Sequence, residues 1–476
     1  MPRLLKVIEP LLQGLLDVEP PAKRVPYQSR VMWSLAAALV YISLGQVPVF
    51  GAELKLKSDS AAFFLGGLAP ANRGSLAELG VAPMITAGVL MAVLANTRVV
   101  EVKNKGDRAL LQGATRLVAL VLTMAEAVLL VACGMYGDVG LLKGTLIVAQ
   151  LTYAGALLVA WDQLVSKGYG LGSGVSVFIG VTACESVVAS AISLRKVATA
   201  AASAEAAAGA KEYQGAIIAL IHAMSSRPNK LSALGYGLFR GNLPNLLGVF
   251  TTLAVFMLTV LAWCCKQQLP VKYAKFRAQQ AQYPIKLLYE SNIPLILFST
   301  AATNVYLVSA CLSQALPSNL VVRVLGHWPD VAAKPTGGLV WLLLTGPVGI
   351  FDCAINWYRT ALWAAVTVVS CGWLGVFWMD YNGTSARDVA RQLTNNNMVI
   401  AGHRSSSTVP TLQKQIVPAA FVGGCTVGVL SVAASLLGAF GGGTGVVLAV
   451  TMALQYIELV ARETNPQLLA QMGKME

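Results

Sequence analysis

Long apolar runs separated by shorter polar connections make up most of this chain. A helix needs about 20 apolar residues to cross the hydrocarbon core of a bilayer. Ten runs approach this length, at residues 33–50, 76–95, 112–133, 144–165, 173–193, 244–264, 287–311, 358–379, 416–436 and 440–461. The pattern therefore predicts an all-α polytopic membrane protein with ten transmembrane helices, numbered spans 1 to 10.

Two further apolar stretches are too short to cross a bilayer. In residues 3–17 (RLLKVIEPLLQGLLD), leucine and isoleucine recur at helical spacing on one face, which predicts a helix along the membrane surface. In residues 337–351 (GGLVWLLLTGPVGIF), a Gly-Pro pair interrupts the run. This break favours a re-entrant or interfacial piece over a further span.

Composition and charge agree with a membrane protein. Hydrophobic residues make up 56% of the chain and charged residues 12%, whereas an ordinary soluble domain has about 25% charged residues. Lys and Arg concentrate in the connections that share a side with the N-terminus, which predicts that both termini are cytosolic. The sequon at Asn382 then lies in the cytosol, where we expect no glycan.

Residues with catalytic or metal-binding chemistry are scarce. The eight cysteines have neither CxxC nor metal-ligand spacing, so we expect nearly all of them to be packed thiols. Five acids lie in or beside spans: Glu126, Asp162, Glu185, Asp352 and Glu458. Asp162 and Glu458 are near span ends, which favours solvated flanks, whereas Glu126 lies inside a span, where an acid is a functional candidate. The sequence predicts no enzyme, no metal site and no cofactor.

Four glycines fall within seven positions of the stretch KGYGLGSGVSVFIG, residues 167–180. A phosphate-binding loop would need a preceding strand and, in the Walker type, a Gly-Lys-Ser/Thr ending, and neither is present. A potassium-type filter would lie inside the pore of a small repeated subunit. This stretch instead bridges two ordinary spans, so we interpret it as a glycine-rich helix start.

Several motifs resemble those of one family, in the family's order. They are ANRGSLAELGVAPMITAGVLM (71–91), GMYGD (134–138), KGYGLGSGVSVFI (167–179), GNLPNLL (241–247), YPIKLLYESNIPLIL (283–297), GHR (402–404) and GTGVVLAVT (443–451). The chain resembles the SecY family of protein translocon large subunits, and most of all its eukaryotic endoplasmic-reticulum alpha-subunit branch. The resemblance extends from about residue 3 to 463.

The resemblance implies a fold of two pseudo-symmetric five-helix halves around a central hourglass pore with a lateral gate. It divides the chain into a cytosolic N-terminal amphipathic segment (1–30), an N-terminal half (31–193), a lumenal hinge connection (194–243), a C-terminal half (244–463) and a cytosolic tail (464–476). It also implies a plug helix at about residues 59–70, and cytosolic loops at 265–286 and 380–415.

The resemblance further assigns a ring of six aliphatic side chains to the pore constriction. They are Val81, Ile85, Val175, Ile179, Ile296 and Leu448. Such a ring resists wetting and so opposes ion leakage, while its rotamers adapt to a passing polypeptide. A secondary transporter is the alternative function, since it too has many spans, broken helices and inverted repeats. Its coupling ions would require polar groups at the midplane, which disfavours it.

A polar cluster at the lateral gate, between spans 2–3 and 7–8, is implied at Thr86, Glu126 and Asn304. The chain departs from its relatives here, because they usually carry Gln where it has Glu126. We hypothesise that this acid sets the hydrophobicity that a signal sequence needs to open the gate. A neutral, hydrogen-bonded carboxyl and a charged one both remain open.

The two cytosolic loops are basic, which alone reflects the positive-inside bias. The resemblance implies ribosome binding, including ribosomal RNA phosphates, through Lys272, Lys275, Arg277, Arg391 and Arg404. The other implied partners are small single-span beta and gamma subunits forming a heterotrimer, nascent polypeptides with their signal sequences, membrane lipid and accessory post-translational translocation subunits. The implied location is the endoplasmic-reticulum membrane.

Overall fold

The fold is described from a computed structural model of the chain. The description covers residues 10, 17–23, 25–51, 74–97, 105–137, 139–194, 196–198, 211–226, 230–238, 240, 244–273, 280–290, 292–316, 319–328, 335–347, 353, 355–395, 398–400 and 408–464. The surface helix expected in residues 3–17 falls almost entirely outside these ranges, and the plug expected at 59–70 falls wholly outside them.

Helices dominate the described part of the chain. They are α1 (Tyr27–Gln46), α2 (Ala82–Asn96), α3 (Lys105–Ala132), α4 (Leu141–Leu164), α5 (Gly174–Ile192), α6 (Ala216–Ser226), α7 (Lys230–Leu238), α8 (Leu246–Cys264), α9 (Ile293–Ala315), α10 (Leu320–Leu325), α11 (Leu339–Leu343), α12 (Trp357–Asn382), α13 (Ala386–Asn395), α14 (Thr408–Leu436) and α15 (Gly442–Thr464). The strands are β1 (Lys196–Ala198), β2 (Lys211–Tyr213), β3 (Lys266–Tyr273), β4 (Gln280–Lys286) and β5 (Met398–Ile400).

Each of the ten predicted spans corresponds to one long helix. Eight described helices are long and apolar enough to cross a membrane, namely α3, α4, α5, α8, α9, α12, α14 and α15. Spans 1 and 2 correspond to the more polar α1 and to α2, which has only 15 residues. Span 9 begins earlier than predicted, because the polar residues 413–415 continue α14 beyond the apolar run.

The helices of spans 1–5 and those of spans 6–10 meet along two seams. On one, α5 packs against α15. On the other, α2 packs against α9 and α12. The central hydrophobic core lies between the seams and draws residues from α5, α8, α9, α12, α14 and α15. We call the contact of α2 and α3 with α9 and α12 the gate seam.

The shorter elements lie in the connections. β1 and β2 form an antiparallel hairpin in the predicted hinge connection, followed by α6 and α7. Within residues 337–351, the described part contains only the five-residue helix α11, about 8 Å long, which is far too short to be a span.

The two loops predicted as cytosolic combine into one folded unit. β3 pairs antiparallel with both β4 and β5, with Leu269 opposite Tyr283 and Val271 opposite Ile400. Leu269, Val271, Ile285 and Ile400 are buried because alternate strand residues share one face of a sheet. That face packs against α13 and the start of α14. We call β3, β4, β5 and α13 the loop unit.

One cysteine pair departs from the expectation of packed thiols. Cys133, just after α3, and Cys311, in the last part of α9, form a disulfide. The other six cysteines, Cys184, Cys264, Cys265, Cys353, Cys371 and Cys425, are free thiols in the structure. Sequence spacing does not reveal such a bond, since 178 residues separate its two ends.

Candidate functional site

The six predicted ring residues lie in, or pack against, two adjoining buried clusters of the helix bundle. Ile179, Ile296 and Leu448 belong to the central core and are at most 7% exposed. Val81, which is fully buried, belongs to the adjoining cluster formed with α1 and α4. Ile85 and Val175 are half-buried and pack against both clusters. Two adjoining clusters therefore hold the six side chains, which come from α5, α9, α15 and the start of α2 and which we call the aliphatic contact.

The glycine-rich stretch positions two of these residues. After α4 the chain makes a single π-helical turn, Val165–Tyr169, and then reverses into α5, with Gly168 and Gly172 at positive φ. Oδ1 of Asp162 accepts a hydrogen bond from the backbone N–H of Val175, at 3.0 Å. Asp162 therefore has a structural role beyond that of the expected flank, because its carboxylate satisfies a backbone donor at the start of α5.

The N-terminal segment packs against the same turn. Asp17 accepts hydrogen bonds from Lys167 and, at 2.8 Å, from Arg116. The Lys167 ammonium group is the main cause that lowers the pKa of the Asp17 carboxyl below its ordinary value. These ion pairs connect the segment before α1 with α3 and the end of α4.

Two of the three predicted gate residues are in contact. Nδ2 of Asn304 on α9 donates to Oγ1 of Thr86 on α2, at 2.9 Å, across the gate seam. The amide of Asn304 thus bonds to Thr86 and not to Glu126. Glu126 on α3 is only 9% exposed, and within the described part of the chain no side chain hydrogen-bonds to its carboxyl group.

A second polar junction lies where α9 begins and α12 ends. The buried Glu290 accepts hydrogen bonds from Thr384 Oγ1, at 2.5 Å, and from Asn382 Nδ2, at 3.4 Å. Burial raises the pKa of the Glu290 carboxyl, and these two bonds oppose the shift. Asn382 and Thr384 of the sequon therefore connect the end of α12 with the segment just before α9.

The predicted ribosome-binding residues are only partly described. Lys272 is exposed on β3, and the side chain of Arg391 on α13 is 80% exposed, 3.8 Å from Asp388. Both belong to the loop unit. Lys275, Arg277 and Arg404 lie outside the described residues, so the structure does not place them relative to Lys272 and Arg391.

Two polar contacts were not predicted from the sequence. Glu458 on α15 is partly exposed, as expected near a span end, and forms an ion pair with Lys286 at the end of β4, at 2.7 Å. The buried Glu78 accepts hydrogen bonds from Tyr136 and from the backbone of Gly74, which connects the segment before α2 with the end of α3. Tyr136 lies in the GMYGD motif, which was the only signal for this contact.

A family model for SecY matches residues 75–457, which is most of the chain. The chain belongs to the SecY family. Every ring and gate residue and the whole loop unit fall inside the matched range. The match supports the expectation from the motifs, and it includes the glycine-rich turn and both seams.

Solved structures show the same fold over nearly the whole chain. A protein-conducting channel has a TM-score of 0.77 at 24% identity, with 97% of this chain and 99% of the other covered. Sec61 in the canine ribosome–channel complex from the endoplasmic reticulum has a TM-score of 0.74 at 25% identity, with the same coverage. The yeast Ssh1 complex, bound idle to the yeast 80S ribosome, has a TM-score of 0.72 at 23% identity, with 98% and 96% covered.

Proposed function

We propose that this SecY-family chain is a protein-conducting channel in which the aliphatic contact of six residues is the pore constriction. The observation that carries the proposal is that Ile179, Ile296 and Leu448 share one buried cluster, that Val81 lies in the adjoining one, and that Ile85 and Val175 pack against both. An apolar constriction resists wetting and so holds back ions when no polypeptide is present. Aliphatic side chains also form no hydrogen bonds that would retain a moving chain.

The gate seam is the proposed exit for signal sequences and transmembrane segments into lipid. Its centre holds the Asn304–Thr86 hydrogen bond and the buried Glu126. A few polar contacts between otherwise apolar helices keep the seam closed. Because each of these contacts is weak, breaking them to open the seam requires only a modest free energy. An apolar helix that enters the seam would replace these contacts by apolar packing.

The translocating function requires no catalytic residue of its own, since a translating ribosome or a partner motor would supply the driving force. The secondary transporter is not favoured. Within the described residues, the central positions are aliphatic, whereas coupled transport requires polar or charged groups near the midplane.

The loop unit is the proposed docking surface for the ribosome. Two of the similar structures are ribosome complexes, the canine and the yeast one. Lys272 and Arg391 present exposed cationic groups on the loop unit, as binding to ribosomal RNA phosphates would require. In this proposal the chain lies in the endoplasmic-reticulum membrane with both termini cytosolic, and it assembles with single-span beta and gamma subunits.

A photo-crosslinking amino acid at Ile179 tests the pore assignment. Membranes that carry the chain are charged with ribosomes stalled on a secretory nascent chain. We expect a crosslink from Ile179 to the nascent chain, because this residue belongs to the constriction. The crosslink should disappear when the signal sequence is deleted.

The control places the same crosslinker at Leu253 on α8, which is 63% exposed on the outer face of the bundle. We expect lipid adducts there and no adduct with a secretory chain. A nascent-chain adduct at Leu253 with none at Ile179 would show that the path does not run through the aliphatic contact.

A further inference from the structure

The disulfide between Cys133 and Cys311 joins the two sides of the gate seam covalently. Cys133 directly follows α3, and Cys311 belongs to α9, with the Cα atoms 5.5 Å apart. This separation is in the range at which a disulfide forms without backbone movement. The bond is buried at the Cys133 end, where the side chain is 5% exposed.

The bond continues a line of contacts along the seam. On α9, Asn304, Leu307 and Cys311 follow the i, i+3, i+7 spacing of one helix face. Asn304 donates to Thr86, Leu307 packs against the cluster that includes Leu130 of α3, and Cys311 bonds to Cys133. Because polar, apolar and covalent contacts share one face, the disulfide adds a covalent restraint on opening the seam at this end.

The position of the bond suits an oxidising compartment. Cys311 lies 18 residues after Ile293 on α9, which is a rise of about 27 Å away from the loop unit. With the loop unit in the cytosol, the disulfide faces the lumen, where thiol pairs are oxidised. At the opposite membrane face, the exposed Cys264 and Cys265 next to β3 remain free thiols.

We propose that Cys133–Cys311 is a reversible covalent lock on the lateral gate. In the locking step, a lumenal disulfide oxidant accepts two electrons from the two thiols. One S–S bond forms in the channel, the S–S bond of the oxidant breaks, and the two protons pass to the oxidant, which becomes a pair of thiols. A lumenal dithiol reverses the reaction and releases the gate. The proposal rests on the proposed channel function, because it assumes that α3 and α9 separate during lateral release.

Differential alkylation tests whether the bond exists in membranes. Accessible thiols are blocked with N-ethylmaleimide in detergent and denaturant, the protein is reduced, and new thiols are labelled with a maleimide-bearing polyethylene glycol. We expect two added polymer chains in the parent. Cys133→Ser and Cys311→Ser, made singly, should each lose both additions, whereas the control Cys264→Ser/Cys265→Ser should keep both. A parent without additions would refute the lock.

The function of the lock is tested with signal sequences of graded hydrophobicity. We expect dithiothreitol to lower the hydrophobicity threshold for membrane integration in the parent, by about one Ala→Leu replacement in the signal. The Cys133→Ser/Cys311→Ser variant should show the lower threshold with and without reductant, and the Cys264→Ser/Cys265→Ser control should behave like the parent.

Equal thresholds in the oxidised parent and the Cys133→Ser/Cys311→Ser variant would overturn the lock, because the bond would then not restrain the gate. The Ile179 crosslink is measured in the same membranes. If that crosslink forms while the thresholds are equal, the lock alone fails. If it is absent in both proteins, the proposed channel function fails as well.

Discussion

The resemblance places Glu126 where relatives usually carry Gln. Its side chain is buried in the closed structure, and no described side chain hydrogen-bonds to its carboxyl group. An unsatisfied buried polar group costs about 1–3 kcal/mol, and a charged group costs more. We therefore hypothesise that closing the gate around Glu126 is costly and that opening it returns the carboxyl group towards water.

Glu126→Gln should make the gate harder to open. The amide has nearly the same shape but loses less hydration free energy on burial, so the closed state gains stability relative to the open state. We expect the variant to need a more hydrophobic signal for integration. The threshold is best measured with the graded signals in the Cys133→Ser/Cys311→Ser background, so that the disulfide does not mask the change.

The matched control for this prediction is Glu185→Gln. Glu185 lies on α5, away from the gate seam, and accepts a hydrogen bond from Gln46 at 3.1 Å. We expect its threshold, measured in the Cys133→Ser/Cys311→Ser background, to equal that of the background alone. A threshold for Glu126→Gln that also equals the background value would exclude Glu126 as a determinant of gate opening.

At the scale of single elements, α5 depends on a close approach between its first residue and α4. A Cβ atom on Gly174 would lie 2.6 Å from the Cα atom of Asp162. The side-chain carboxylate of Asp162 accepts a hydrogen bond from the backbone N–H of the next residue, Val175. Glycine is therefore required here because two backbones meet. Any side chain would push the start of α5, and with it two ring residues, away from the central contact.

Gly174→Ala should destabilise the protein by roughly 1–3 kcal/mol, the usual cost of overpacking. We expect a lower midpoint of thermal unfolding in detergent, together with weaker crosslinking from Ile179. The control is Gly180→Ala on the same helix, where the added Cβ would meet only Met452, at 3.7 Å. That variant should be as stable as the parent or slightly more stable, since alanine favours helix over glycine. Equal destabilisation by both substitutions would contradict the close-approach argument.

The loop unit shows which elements sequence patterns detect poorly. Leu269 and Val271 flank Pro270, and Tyr283 and Ile285 flank Pro284. A proline within such a run argues against a strand, so the local pattern does not indicate β3 and β4. Their partner strand β5 has only three residues and lies more than 100 positions along the chain. No local pattern predicts that pairing, so the two loops were expected to be separate basic connections.

At the scale of the whole molecule, the sequence was most informative about features that depend only on residues close together in the chain. Span positions follow from apolar length, and eight of the ten predicted spans coincide with described helices that are long and apolar enough to cross a membrane, while the other two coincide with α1 and α2. The assignment of the ring and gate residues, by contrast, came from the resemblance. On an apolar helix, the sequence pattern does not distinguish an aliphatic residue that faces the pore from one that faces lipid. The Cys133–Cys311 and Lys286–Glu458 contacts depend on how distant helices assemble, and the sequence indicated neither.

Charge on the loop unit should govern binding of the whole channel to ribosomes. Lys272 is exposed on β3, and the resemblance adds Arg277 and Arg404 from the same two loops. We expect Lys272→Glu, Arg277→Glu and Arg404→Glu each to weaken ribosome binding. Each variant should also reduce the slope of log affinity against log salt concentration by about 1, as expected for one lost phosphate contact.

The matched control for these three variants is Arg323→Glu on α10, which changes the net charge equally in a connection that we predict to be lumenal. Cosedimentation of the reconstituted channel with ribosomes over a series of salt concentrations gives both affinity and slope. If Arg323→Glu lowers the slope as much as the loop variants, overall charge governs binding and not a docking surface. If none of the four changes the slope, the loop unit does not contact ribosomal RNA. A change confined to the loop variants would also fix the orientation, because ribosomes reach only the cytosolic face.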